Sequence, residues 1–191
     1  GLAAVPVIKV ATRTALAHSQ DGLKFTLEPR QLGPFYLRVF WWRDHAYAVA
    51  KLDNSGWGGL LRSADGQTPF ELRGPFIERM RHAAVLRRGE RLIVFYSRVG
   101  DAPESILACT VDLSQDWTYW TPSEPIEVLR PEMPYEGADY PIRPSHYGAA
   151  TGVRQVRDPA VFEENGRLYL FYSAAGESGI AMAELELDLE S

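Results

Sequence analysis

A single cysteine, Cys109, excludes an internal disulfide. Its place in the apolar run Ile106-Leu107-Ala108-Cys109 marks it as a buried structural thiol rather than a nucleophile. No apolar run approaches the ~20 residues that a helix needs to cross a bilayer, so a membrane is not an expected partner. Runs of Lys and Arg are missing too. With a net charge of −5 and a pI near 5.4, the chain has no basic footprint for nucleic acid. The four histidines lack ligand spacing, so no structural zinc site is expected. Neither a Gly-rich phosphate loop nor a nucleophile-elbow serine is found. No cofactor is indicated, and a central structural metal ion has no signal of its own in the sequence.

What the chain does have is aromatics and repetition. Five Trp, nine Tyr and eight Phe suit a β architecture, and most are expected to fill its core. Residues 81–97 and 157–173 are two versions of one stretch. Arg81-His82-Ala83-Ala84-Val85-Leu86 aligns with Arg157-Asp158-Pro159-Ala160-Val161-Phe162. Arg91-Leu92-Ile93-Val94-Phe95-Tyr96-Ser97 aligns without a gap with Arg167-Leu168-Tyr169-Leu170-Phe171-Tyr172-Ser173. Eight of the seventeen positions are identical at a constant offset of 76 (157 − 81). Each copy reads as strand, polar turn, strand: one β-hairpin per repeat.

A second repeated element lies between the hairpins. Ser19-Gln20-Asp21-Gly22 and Ser63-Ala64-Asp65-Gly66 are turn signals, with a looser third copy from Asp112 to Trp120. Alternating the two elements gives four-stranded units of the size of a propeller blade. The expectation is an all-β β-propeller of antiparallel blades at 35–75, 80–129 and 156–188, with a partial blade at 1–30. About three and a half blades in one domain over 1–191 imply the C-terminal part of a longer propeller. The segment 131–155, rich in Pro, Tyr and charge, interrupts the pattern as a long loop of the kind that carries function.

Antiparallel geometry places three groups on one face. They are the first-strand entrances (Tyr36, Leu37, Arg38; Arg81, His82; Arg157, Asp158), the second loops (Asp53, Trp57; Asp101, Glu104; Glu177) and the insertion (Glu132, Glu136, Asp139, Arg143, His146). Such a mouth, lined by carboxylates and arginines with aromatics at hand, is a ligand-site candidate. Taken alone, an Arg-Asp pair is better explained by bracing a strand. The recurrence of Glu104-Ser105 as Glu177-Ser178 equally fits a turn.

The stretch from Arg157-Asp158-Pro159 to Phe171-Tyr172-Ser173 resembles a blade of the five-bladed β-propeller glycoside hydrolases. These include arabinanases, β-xylosidases, arabinofuranosidases and invertase-like enzymes. The resemblance implies an oligosaccharide or glycoside bound across a central cavity and carboxylate acid/base hydrolysis. It implies that Asp158 orients the acid or stabilises charge on the ring, and that Arg157 binds a substrate hydroxyl or carboxylate. The general acid would be a rim glutamate, Glu136 first and Glu104 second. His82, Arg81, Tyr36, Arg38, Trp57 and Asp139 complete the expected substrate contacts. The chain departs from the family where Leu37 and His82 stand at entrances that a carboxylate would occupy. A sialidase-like enzyme, a non-catalytic carbohydrate-binding propeller and a scaffold propeller are the alternatives.

Overall fold

The computed structural model describes residues 13–52 and 56–187. Among these residues the chain is all-β, with thirteen strands, two short 3-10 turns (Trp117–Tyr119 and Pro134–Glu136) and no α-helix. β1 (Arg13–His18) and β2 (Thr26–Pro34) form an antiparallel pair. β3 (Arg38–Trp42), β4 (His45–Lys51), β5 (Trp57–Ser63) and β6 (Glu71–Glu78) form a four-stranded antiparallel sheet in chain order. β7 (Met80–Arg88), β8 (Arg91–Arg98), β9 (Ile106–Asp112) and β10 (Ile126–Leu129) form a second sheet of the same kind. β11 (Arg157–Glu164), β12 (Arg167–Ala174) and β13 (Gly179–Leu185) form a third, three-stranded one. The fourth strand expected near Phe70–Leu72 runs on to Glu78. The opening strand expected from Ile8 lies partly outside the described residues, and Asp53 lies wholly outside them.

Local chemistry explains the punctuation. In the turn after β1, Asp21 Oδ1 accepts from the N–H groups of Leu23 and Lys24 at 2.9 and 2.8 Å, and Ser19 Oγ accepts from Gly22. After β5, Asp65 Oδ1 accepts from Gln67 and Thr68 at the same two distances, and Ser63 Oγ accepts from Gly66. Gly22 and Gly66 take φ of 71° and 66°, a left-handed backbone that glycine adopts without steric cost. The backbone donors of Thr68 and Gln67 pull the Asp65 carboxyl down to about 2. The repeated Ser-x-Asp-Gly element is one hydrogen-bonded turn used twice.

Strict alternation sends β4 and β8 each to two cores at once. Along β8, Leu92, Val94 and Tyr96 join Phe40, Val49, Leu60, Trp117 and Trp120 between the first and second four-stranded sheets. Ile93 and Phe95 point the other way, joining Leu170, Tyr172 and Ala174 of the third sheet. β4 divides similarly. Tyr47 and Val49 face the second sheet, while Ala46, Ala48 and Ala50 pack with Leu32 of β2, Leu61 and Phe70. A continuous apolar run is what a strand covered on both faces requires. Cys109 belongs to the first of these cores, and burial pushes its thiol up to about 12, which leaves it unreactive near neutrality.

The three first strands lie side by side. β7 packs against β3 and β4 on one flank and against β11 on the other. Their starting ends, with the loop 131–155 folded over them, build the site.

Candidate functional site

The register of the hairpins shows which residues are equivalent. Each first strand turns into its partner through two residues, closed by the pairs Trp42↔His45, Arg88↔Arg91 and Glu164↔Arg167. Counting back six residues from the first member gives Tyr36 (42 − 6), His82 (88 − 6) and Asp158 (164 − 6). Counting forward six from the second gives Lys51 (45 + 6), Ser97 (91 + 6) and Ser173 (167 + 6). These two sets of equivalent positions supply much of the mouth.

Tyr36, His82 and Asp158 touch in order. The Tyr36 and His82 rings meet edge to face with centroids 4.2 Å apart. His82 Nδ1–H donates to Asp158 Oδ1, and Ser173 Oγ–H donates to Asp158 Oδ2 at 3.1 Å. The β11 ladder slips between Arg157 and Ala160, and Asp158 sits in that irregularity with φ 55°. A left-handed backbone at a residue other than glycine costs on the order of 1 kcal/mol or more, and the two hydrogen bonds hold it in place. Burial alone would raise the Asp158 carboxyl. The His82 hydrogen bond and charge, Ser173 and Arg157 outweigh it and hold the group below its ordinary value. At neutral pH Asp158 is therefore an ionised acceptor.

Behind this row lies a sealed ionic layer. Glu104, in the β8–β9 connection, is 0% exposed and accepts from Arg81 Nε at 2.8 Å and Ser97 Oγ at 2.7 Å. Its other oxygen lies 3.5 Å from Nη2 of Arg157, which is also 0% exposed. Arg157 further reaches Glu177 Oε1 at 3.2 Å, the Gly148 carbonyl at 3.3 Å and the side-chain oxygen of Gln155. Arg81 also donates to the His146 carbonyl, tying the long loop to β7. Arg81–Glu104 and Arg157–Glu177 are the same pair in two sheets, and Arg157 adds the link between them.

In front is a cavity of about 380 Å³ lined by Phe35, Tyr36, Lys51, Arg81, His82, Tyr147, Gly148, Ala149, Asp158 and Glu177. Lys51 is only 4% exposed, with its ammonium 4.5 Å from the Tyr147 ring centroid. Burial, reinforced by the positive charge of Arg81, pushes this lysine down to about 8.

The structure thus brings Asp158, His82, Arg81 and Tyr36 to one cavity. It places the other expected site residues elsewhere. Glu136 is buried apart from this mouth. Its Oε1 accepts from Tyr172 Oη at 2.5 Å, and its Oε2 accepts from the N–H groups of Glu132 and Met133 at 2.9 Å each. With both oxygens engaged, Glu136 closes the 3-10 turn it belongs to, beside a different cavity lined also by Glu127, Arg130 and Tyr135. Glu104 faces two guanidiniums rather than the cavity. Arg157 is enclosed by protein acceptors, so it braces the mouth from behind. Arg38 donates to the Ala83 carbonyl at 2.6 Å, joining β3 to β7. Trp57 and Asp139 are exposed and do not line the cavity. Among the described residues no group of three or more His, Cys, Asp or Glu is placed to hold a metal ion.

No protein-family model matches the chain. An uncharacterized protein of Acanthamoeba polyphaga mimivirus is 36% identical over 200 residues, which takes in 95% of this chain. The chain spans 55% of that relative's length. Among solved structures, a GH32 beta-fructofuranosidase of Bombyx mori is similar with a TM-score of 0.58 at 14% identity, covering 86% of this chain and 37% of that one. An alpha-L-arabinofuranosidase from Lactobacillus brevis gives 0.57 at 15%, covering 85% of this chain and 57% of the enzyme. A glycosyl hydrolase from Bacteroides ovatus gives 0.59 at 11%, covering 92% and 58%. Likeness at such identities speaks for architecture. The chain has a propeller-like all-β fold whose structural neighbours are glycoside hydrolases.

Proposed function

We propose that this chain is a glycoside-hydrolase-like domain, part of a five-bladed propeller, that takes an oligosaccharide into the Asp158 cavity. The observation that carries this reading is Asp158 itself. It is an ionised carboxylate fixed by His82 and Ser173, facing a cavity that also presents Tyr36 and Tyr147. Carboxylates accept sugar hydroxyls, and aromatic side chains cover the apolar faces of sugar rings. An anion held below the usual carboxylate range does not donate a proton at neutrality. Asp158 therefore fits the group that stabilises positive charge on the ring, or that activates water, and not the general acid. The solved neighbours include a sucrose complex of a mutant of the Bombyx mori enzyme, which accords with a carbohydrate ligand.

The test is reducing-sugar release and binding over a panel of arabino-, xylo-, manno- and fructo-oligosaccharides, with the chain and its Asp158→Asn variant. Turnover that collapses in the variant supports the hydrolase reading. One observation favours a second reading, a non-catalytic sugar-binding domain: both glutamates expected as acids, Glu104 and Glu136, have their oxygens turned to protein groups. Binding without turnover would select it. Absence of both binding and turnover, with acidic as well as neutral oligosaccharides, would overturn either reading.

A further inference from the structure

The position shared by Lys51, Ser97 and Ser173 has one job in the two sheets where it is a serine. Ser97 donates to the Glu104 carboxylate and Ser173 donates to the Asp158 carboxylate, each from the last part of a second strand toward the first-strand entrances. In the first of the three sheets the donor is Lys51, longer and charged. Among the described residues no acceptor is hydrogen-bonded or ion-paired to it: its ammonium lies over the Tyr147 face, and the Glu104 and Asp158 carboxylates act on it from beyond contact. The side chain is more than nine-tenths buried and lines the cavity. A buried ammonium without an anion is costly. Its persistence at a position that elsewhere meets a carboxylate points to an anion that arrives with the ligand.

We propose that the cavity selects a carboxylated sugar, a uronic acid residue of an oligosaccharide, whose carboxylate is received by the Lys51 ammonium. This rests on the reading of the cavity as an oligosaccharide site. The neighbouring charges leave room for the assignment. Arg81 and Arg157 are neutralised by Glu104 and Glu177, and His82 is engaged with Asp158. Lys51 is thus the cavity's cation without an ion-pair partner among the described residues. The burial that lowers its proton affinity is relieved when a carboxylate sits beside it, so ligand and proton bind together.

The experiment is calorimetric titration of glucuronate- and galacturonate-containing oligosaccharides, each against its methyl ester, on the chain and on Lys51→Met. The ester removes the charge and little else. A charge-assisted hydrogen bond predicts that the parent binds the acid about tenfold to a hundredfold tighter than the ester. Lys51→Met should bind the two alike. In the parent, the preference should also shrink as pH rises from 7 to 9, because Lys51 loses its proton near pH 8 while Asp158, held below its ordinary value, stays ionised. That measurement needs no variant to fold. Equal affinity for acid and ester in the parent, or a preference that survives in Lys51→Met, overturns this inference and leaves the oligosaccharide site standing. Tighter Lys51-dependent binding of a sulfated sugar than of any uronate overturns the carboxylate assignment. Failure of every sugar, neutral or acidic, overturns the oligosaccharide site and this inference with it.

Discussion

His82 and Asp158 hold the same place in successive hairpins, 76 residues apart, and are hydrogen-bonded to each other. The offset that identifies the repeat along the chain is the offset across which its two copies meet. Tyr36, the equivalent residue of the preceding sheet, extends the contact through the His82 ring. Near the first-strand entrances, then, equivalent positions become neighbours. Changing one of them alters the site while leaving each sheet's ladder intact.

His82→Ala should raise the proton affinity of Asp158 by removing its principal favourable partner, with burial left to act. The acidic limb of the binding or activity profile should move to higher pH. Stability follows the same sign. A carboxyl held below 3.8 contributes stability above that value and loses it as pH falls through its folded value, so the variant should become more acid-sensitive. An NMR titration of the Asp158 carboxyl checks the first part directly. An unmoved limb would mean that His82 does not control this ionisation.

Glu104→Gln leaves two buried guanidiniums short of their shared charge. Breaking a buried ion network in this way costs about 3–5 kcal/mol, measured as a drop in urea unfolding free energy. Glu177→Gln, at a side chain 37% exposed, should cost about 0–1 kcal/mol. Similar losses in the two variants would show that the layer behind the cavity is not what holds the sheets.

Lys51→Met should stabilise the protein at pH 7, by about 1–3 kcal/mol, because it replaces a buried cation, without an ion-pair partner among the described residues, with an apolar chain of similar length. The advantage should close as pH rises. Between about 8, the folded value, and 10.5, the ordinary one, the unfolded parent binds more protons than the folded parent, so its stability climbs toward the variant's. Unfolding curves of both proteins at pH 7, 9 and 10.5 give the difference, in which other titrating groups cancel. A gap that stays constant with pH would contradict the burial of this charge.

Gly176→Ala should loosen the long loop. Gly176 has φ 76°, and a Cβ there would run into the Ala150 carbonyl and the Val153 side chain. The Gly176 and Glu177 N–H groups bond the Gln155 and Ala150 carbonyls, so the clash falls on the seam between the loop and β12. The expected cost is about 1–3 kcal/mol, with faster proteolysis within 131–155 than in the parent.

The sequence made the sheets legible because their determinants are local. Alternation along β4 and β8, the Asp-Gly turns and the two-residue hairpins each depend on a few adjacent residues. The pairing of Asp158 with its counterpart was half legible, since alignment placed His82 opposite it without saying that they touch. The roles of Glu104, Glu136 and Arg157 were not legible. A charge placed on a rim by strand direction says nothing of whether another protein group already satisfies it, and here Arg81, Tyr172 and Gln155 do so. Lys51 carries no alignment signal because its hairpin resembles the other two least in sequence. Counting from the turn is the signal that finds it.

Because Glu104 is held by arginines of two different sheets, the second and third sheets are expected to open together at this end. Arrays of repeated units can fray unit by unit, since each unit touches only its neighbours. A single carboxylate clasped from both sides makes the β7 and β11 entrances one cooperative unit. Amide hydrogen exchange at Ala83 and at Ala160 should then report a common opening free energy, well above that of the loop that covers them.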